Sequence, residues 1–214
     1  MNSAIDDAIE KIYIAFSQEA KPSSIEVCEC CISEQEVKIM LETPLRNLTA
    51  QQLESYAGLV FLTSGSEEDF RYFTPRILDI GIQDKFSLCF EQIGKALARG
   101  NWLSWEEPLR ASIINLFSVV WEIAIKSDDG WRLDTLICSF ALTGLDLKPF
   151  LARLESKEFE NALIGFYEQN SQQLLRGILR NPFWEDHKEE ADPVIEWFGS
   201  PKVLEIINRH YGIS

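Results

Sequence analysis

Apolar positions along the chain recur mostly at helical spacing, and one stretch departs from that spacing by being apolar nearly all round. Residues 113–125 read I-I-N-L-F-S-V-V-W-E-I-A-I, ten apolar residues out of thirteen. A helix with this pattern must be covered on nearly all sides. It is too short for a bilayer, which takes roughly 20 apolar residues, and Glu122 lies inside it. Residues 107–126 are therefore expected to form a central core helix with Pro108 in its first turn, and the rest of the chain to supply its walls.

Those walls read as short helices with recognisable ends. Ile5, Ile9, Ile12 and Phe16 share one face of a first helix that Ser3 can cap. Residues 24–32 carry a weak strand pattern through Ile25 and Val27. Two capping-box patterns follow, Ser33 with Glu36 and Thr49 with Gln52, and Ser66 with Asp69 marks another helix start. Gly65 marks a helix stop between the last two. Pro75 would fall inside the helix that Ser66 opens. Because proline lacks an N–H and clashes with the preceding turn, a break is expected there, with Thr74 as a new cap. Asp84 opens a helix with Phe86, Phe90, Ile93 and Leu97 inward, and Gly100 ends it. Beyond the central helix, Asp129-Gly130 predicts a turn. Leu133, Leu136, Ile137, Phe140 and Ala141 predict a helix stopped by Gly144, and Asp146 can cap a short one with Phe150, Leu151 and Leu154. Residues 158–167 and 171–179 read as a helical pair. Asp192-Pro193 and Ser200-Pro201 each place a cap before a proline at the first helical position, with Gly199 and Gly212 as stops.

About twelve short helices and no convincing alternating run predict an all-α fold. An irregular antiparallel helix array or a short α-α superhelix fits best. No fixed-period repeat is present. No Gly-, Ser- or Pro-rich linker divides the chain, so one domain over residues 1–214 is expected.

Charge changes the picture of partners. The formal net charge is −14, shared evenly between residues 1–100 and 101–214. Such a field repels nucleic-acid phosphates and anionic lipid and attracts a basic protein. The opening M-N-S-A-I-D-D carries acids where a secretory signal needs positive charge. Five cysteines, an odd number, favour a reducing cytoplasm over a disulfide framework.

Candidate chemistry is sparse. Cys28 and Cys31 have C-x-x-C spacing with Cys30 between them, a spacing at which thiolates share a zinc ion or exchange a disulfide. A structural zinc needs four ligands, and Cys89, Cys138, His187 and His210 would have to converge to complete it; buried or incidental thiols are the plainer alternative. His187 and Glu190, three residues apart, could share a helix face in a site-like spacing, or lie in a solvated connection. Trp102 with Trp105, and Phe183 with Trp184, either line a groove for a partner or plug the core. No phosphate-binding glycine loop, G-x-S-x-G or H-E-x-x-H motif occurs.

Between Cys28 and Leu78 the chain carries C-x-x-C-x-S, then P-L-R-x-L-x-x-x-x-L-x-x-Y-A, then E-D-F-R-Y-F-x-P-R-I-L. Through Cys28, Cys31, Pro44, Leu45, Leu48, Leu53, Tyr56, Asp69, Phe70, Phe73, Pro75, Arg76 and Leu78 it resembles a family of uncharacterised bacterial all-helical proteins. The resemblance covers about a quarter of the chain and implies no activity. It departs at residues 61–65, where the family pattern has a tryptophan before the glycine. Physically, Tyr56, Asp69 and Arg76 either face a shared pocket for a carboxylate or a partner, or serve the core, with Arg76 paired to Asp69 or Asp79.

Three functional classes remain. The first is a protein-binding module, for example an immunity- or antitoxin-like protein that captures a basic toxin through an acidic concave patch. The second is a metal-dependent or small-molecule enzyme using Cys28, Cys31 and nearby carboxylates, with zinc as its cofactor. The third is a structural subunit with a large apolar patch.

Overall fold

The computed structural model describes residues 3–83, 89–127 and 130–213. Among them it is all-α: eleven α-helices and four 3₁₀ turns, with no strand. The expected helix from Asp84, which includes Phe86, and the turn at Asp129 begin outside the described residues. No described helix is long and apolar enough to cross a membrane. The chain forms two compact units, Met1–Val119 and Val120–Ser214.

The first unit contains α1 (Ser3–Ala15), α2 (Glu34–Glu42), α3 (Ala50–Leu59), α4 (Glu67–Gln83), α5 (Phe90–Arg99) and the first turns of α6 (Glu107–Ala124). Helix α4 packs against α1, α3 and α5. Three reciprocal capping boxes start helices where the sequence predicts them, at Ser33/Glu36, Thr49/Gln52 and Ser66/Asp69. Each satisfies two backbone donors that a helix start leaves without partners. The core is aromatic: Trp105 meets Phe16 and Phe70 edge-on, and Tyr56 meets Phe73 edge-on. The indole of Trp105, buried, donates to the Gly100 carbonyl at 3.0 Å. Burial of each such ring contributes roughly 2–3 kcal/mol.

Two expectations fail in this unit. Helix α4 runs unbroken through Pro75, and Thr74 is not a cap: its hydroxyl donates to the Phe70 carbonyl at 2.7 Å. Residues 77–82 of α4 are buried in succession, and that packing outweighs the one backbone bond that Pro75 cannot make. Helix α3 stops at Leu59, not at Gly65. There the chain turns outward through Phe61, at φ 63°, and residues 60–65 cross the strand-like segment predicted at 24–32. Gly65 has φ 68°, and a Cβ there would press on the Tyr56 ring at 2.9 Å.

The second unit contains the end of α6, then α7 (Gly130–Leu142), α8 (Lys148–Leu154), α9 (Glu160–Leu174), α10 (Lys188–Phe198) and α11 (Pro201–Tyr211). Helices α7 and α9 pack so closely that a side chain at Gly130 would run into the Gly165 carbonyl. Trp121 from α6 packs on Phe140 and Phe150 and donates to the Phe150 carbonyl at 3.1 Å. From Ser112 to Ile125 no residue is exposed, as the all-round apolar pattern requires. Glu122, half-buried in that run, accepts two bonds from the Arg153 guanidinium at 2.7 and 3.0 Å.

The expected helical pair at 158–179 is one helix, α9, followed by a reversal. Buried Asn170 turns the chain back: its amide donates to Asp134 at 3.1 Å and its carbonyl accepts the Arg180 N–H at 2.8 Å. Helix α10 starts five residues before Pro193, so Asp192 is not its cap. Burial of Ala191 and Val194 favours one continuous helix over a start at the proline. Ser200-Pro201 does open α11, with Pro201 at its first position, and Gly212 ends that helix at φ 66°.

Candidate functional site

The cysteine segment is a turn pinned at both ends. The Cys28 N–H donates to the Thr63 carbonyl at 2.8 Å, and the Gly65 N–H donates to the Glu26 carbonyl at 2.7 Å. The N–H groups of Cys31 and Ile32 both fold back on the Cys28 carbonyl, at 2.8 and 3.1 Å. Ile25 and Ile32 anchor the flanks in the core, and Ser33 then caps α2. This turn brings residues that are three apart in sequence side by side. The sulfurs of Cys28, Cys30 and Cys31 lie within 4.8 Å of one another. Cys28 Sγ is 2.7 Å from Cys30 Sγ, and Cys30 Sγ is 3.6 Å from Cys31 Sγ. Donors converge on Cys28: the Cys30 thiol and then the Cys30 N–H hold its thiol below the usual value, and the same contact pushes Cys30 up to about 11. Sequence spacing singles out Cys28 and Cys31; Cys30 is the member it underrates. Cys89 lies elsewhere, donating to Glu91 at 3.0 Å; Cys138, buried, belongs to the second unit, as do half-buried His187 and exposed His210. Among the described residues no carboxylate or imidazole joins the three thiols.

Tyr56, Asp69 and Arg76 take separate roles. Asp69 is the reciprocal cap of α4: its carboxylate accepts from the Ser66 N–H at 3.0 Å. The Tyr56 hydroxyl is buried without a hydrogen-bond partner among the described residues, and burial, then the charge of Asp69, push its phenol well above the usual value. Arg76 donates to Asp79 at 2.6 Å and to the Leu48 carbonyl at 2.7 Å. Asp79 is the hub here, also accepting from Tyr13 of α1 at 3.0 Å and from Gln83. Of the two partners the sequence offers Arg76, the structure selects the one a helical turn away. The contribution of Tyr13, 66 positions away, has no local signal.

A groove in the second unit was not legible in the sequence. It has a volume of about 610 Å³ and lies between the end of α7, α8 and α10. Its apolar part comes from Ala141, Leu147, Leu151, Pro193 and Trp197, and its rim carries the carboxylates of Asp146, Glu155, Glu190 and Glu196 against the single ammonium of Lys148. Trp197 is held in place: its indole N–H donates to Glu155 at 2.9 Å and its ring stacks on Phe166. Lys202 lies 2.8 Å from the other oxygen of Glu155. Burial acts to raise Glu155, but the bonds from Lys202 and Trp197 outweigh it and keep the carboxyl below its ordinary range. His187, just before α10, places Nδ1 3.5 Å from Glu190, so this predicted pair does share one helix start, at the groove's edge.

Trp102, Trp105 and Trp184 are core plugs, each almost wholly buried, while Phe183 is half-buried. No protein-family model, curated protein or solved structure matches this chain.

Proposed function

We propose that this chain is a protein-binding module whose α7–α8–α10 groove takes a lysine- or arginine-rich segment of a partner protein. The observation that carries the reading is the groove itself: an apolar floor with a fixed tryptophan, and the carboxylates of Asp146, Glu190 and Glu196 against the ammonium of Lys148, with Glu155 engaged by Lys202 and Trp197. The apolar floor gives a partner side chain somewhere to be buried. The carboxylate rim steers cationic groups and selects against acidic ones. The Trp197 face suits a guanidinium or ammonium, which is attracted to the electron-rich ring. The net charge of −14 extends the same bias over the surface and speeds encounter with a basic protein. An immunity- or antitoxin-like role, in which a basic toxin is captured, is one form of this reading. The alternative is a metal-dependent or small-molecule enzyme at Cys28 and Cys31; among the described residues no carboxylate or imidazole joins the three thiols to move protons.

The test is a peptide panel of equal length in lysine/arginine-rich, neutral and acidic versions, read by fluorescence anisotropy. The basic peptides bind, and Glu190→Lys/Glu196→Lys weakens them by roughly tenfold or more. Asp7→Lys/Glu54→Lys, with the same change of net charge in the first unit, has a much smaller effect. Equal binding of neutral and basic peptides, or equal loss in both double variants, would refute a specific groove.

A further inference from the structure

We propose that Cys28, Cys30 and Cys31 form a binding site for one thiophilic, closed-shell metal ion held by three thiolates. This goes beyond the groove and concerns the other unit of the chain. Three sulfurs from four consecutive residues do not all meet in an extended or helical backbone, where at least one of the side chains points away from the others. They meet here because the Cys31 and Ile32 N–H groups close a turn on the Cys28 carbonyl. That turn is fastened to the α3–α4 loop by two backbone bonds and to the core by Ile25 and Ile32. The loop thus presents its ligands with little ordering left to do when an ion arrives.

The donor set decides the ion. All three donors are sulfur, and no oxygen or nitrogen side chain completes the group among the described residues. Thiolates select zinc and cuprous ions over magnesium and calcium, which take oxygen. Three sulfurs satisfy a trigonal cuprous ion outright; a tetrahedral zinc ion would add water or an external ligand as its fourth. Around a zinc ion with bonds of about 2.3 Å, neighbouring sulfurs stand ~3.8 Å apart. The Cys30–Cys31 pair, at 3.6 Å, already has nearly that spacing. The Cys28–Cys30 pair, at 2.7 Å, must open, and Cys30 is exposed and has room to swing outward. Its exposure also leaves an entry route. Binding exchanges the three thiol protons for the metal ion, and no electrons are transferred.

The test uses the full chain, reduced with a phosphine and kept free of oxygen. It is loaded with zinc or with cuprous ion, desalted against a weak chelator, and assayed for metal. Retention of one ion per chain by either metal supports the site: retained zinc assigns a four-coordinate ion with an external ligand, and cuprous retention alone a trigonal one. The Cys28→Ser/Cys30→Ser/Cys31→Ser variant is expected to lose that ion with an unchanged far-ultraviolet spectrum. Alkylation mapped by mass spectrometry on the unaltered chain guards against misfolding of the variant. A bound ion slows modification of these three thiols by roughly tenfold or more while leaving Cys89 unaffected. Failure to retain either ion, retention by the triple variant, or unchanged alkylation would overturn the proposal.

Discussion

Asp79 accepts bonds from Arg76, Tyr13 and Gln83 while being almost wholly buried, so each donor helps to offset the cost of keeping a carboxylate out of water. Tyr13→Phe removes one of them and leaves the ring in place, together with the Arg46 guanidinium stacked 3.8 Å from its centre. At neutral pH this variant is expected to lose about 1–2 kcal/mol in urea unfolding. The same residue gives that loss a pH dependence. Burial first, and then the charge of Asp79, push the Tyr13 phenol well above its usual value of 10.0. In the unfolded chain the phenol ionises near pH 10 while the native state still holds the proton. The contribution is therefore complete below about pH 10 and is lost as pH rises toward the folded value. The stability gap between the parent chain and Tyr13→Phe should narrow as the pH is raised from about pH 10 to about pH 11. A gap that stays constant across that range would show that the hydroxyl is not held as described. Tyr56 and Cys89 also have raised values, Cys89 to about 11. Because both are present in parent and variant alike, they steepen the alkaline decline of each chain and leave the difference to Tyr13.

At the scale of the helix, what could be read in advance was whatever a helix end decides within three residues. Ser33/Glu36, Thr49/Gln52 and Ser66/Asp69 are such pairs, and all three cap helices. So was the burial of α6, because an apolar pattern on every face leaves no alternative. Pro201 opens its helix as read, but Pro75 and Pro193 were not legible, since a proline at a helix start and one inside a helix look alike until the packing of the preceding turn is known. Phe70 and Phe73, fully buried, carry α4 through Pro75, and Ala191 and Val194 carry α10 through Pro193. Pro193 distinguishes the two readings. It is exposed, so its removal leaves no cavity, and as the sixth residue of α10 it denies the Glu189 carbonyl a backbone donor. Pro193→Ala restores that bond and is expected to stabilise the chain by about 1–2 kcal/mol after the greater freedom of the unfolded chain is allowed for. Were Asp192 a cap and Pro193 a first helical residue, alanine would be neutral or costly, because proline is favoured there. Urea unfolding followed by circular dichroism decides between them.

At the scale of the whole chain, the division into two units falls inside α6, the most apolar helix, so no linker composition marks it. Leu109, Ile113, Leu116 and Phe117 are buried on the first-unit side, and Val120, Trp121, Ala124 and Ile125 on the second. The groove escaped sequence reading for a related reason: its carboxylates come from Asp146 before α8, Glu155 at the end of α8, and Glu190 and Glu196 of α10, and no local pattern joins them. What was visible was the net charge of the whole chain, −14. That charge acts on folding and on binding with opposite signs. A compact chain with so large an excess of carboxylates repels itself, and added salt screens the repulsion, with a screening length of about 10 Å at 0.1 M. The melting temperature should therefore rise as sodium chloride is increased through the range where surface charges are screened. Binding of a basic peptide to the groove should weaken over that range, chiefly through a slower association rate. The opposed trends make the experiment decisive, since a peptide lost at high salt from a chain that has become more stable has not been lost through unfolding. If binding and melting temperature fell together, the charge would be serving the fold, and the groove would have to find its partner by apolar contact alone.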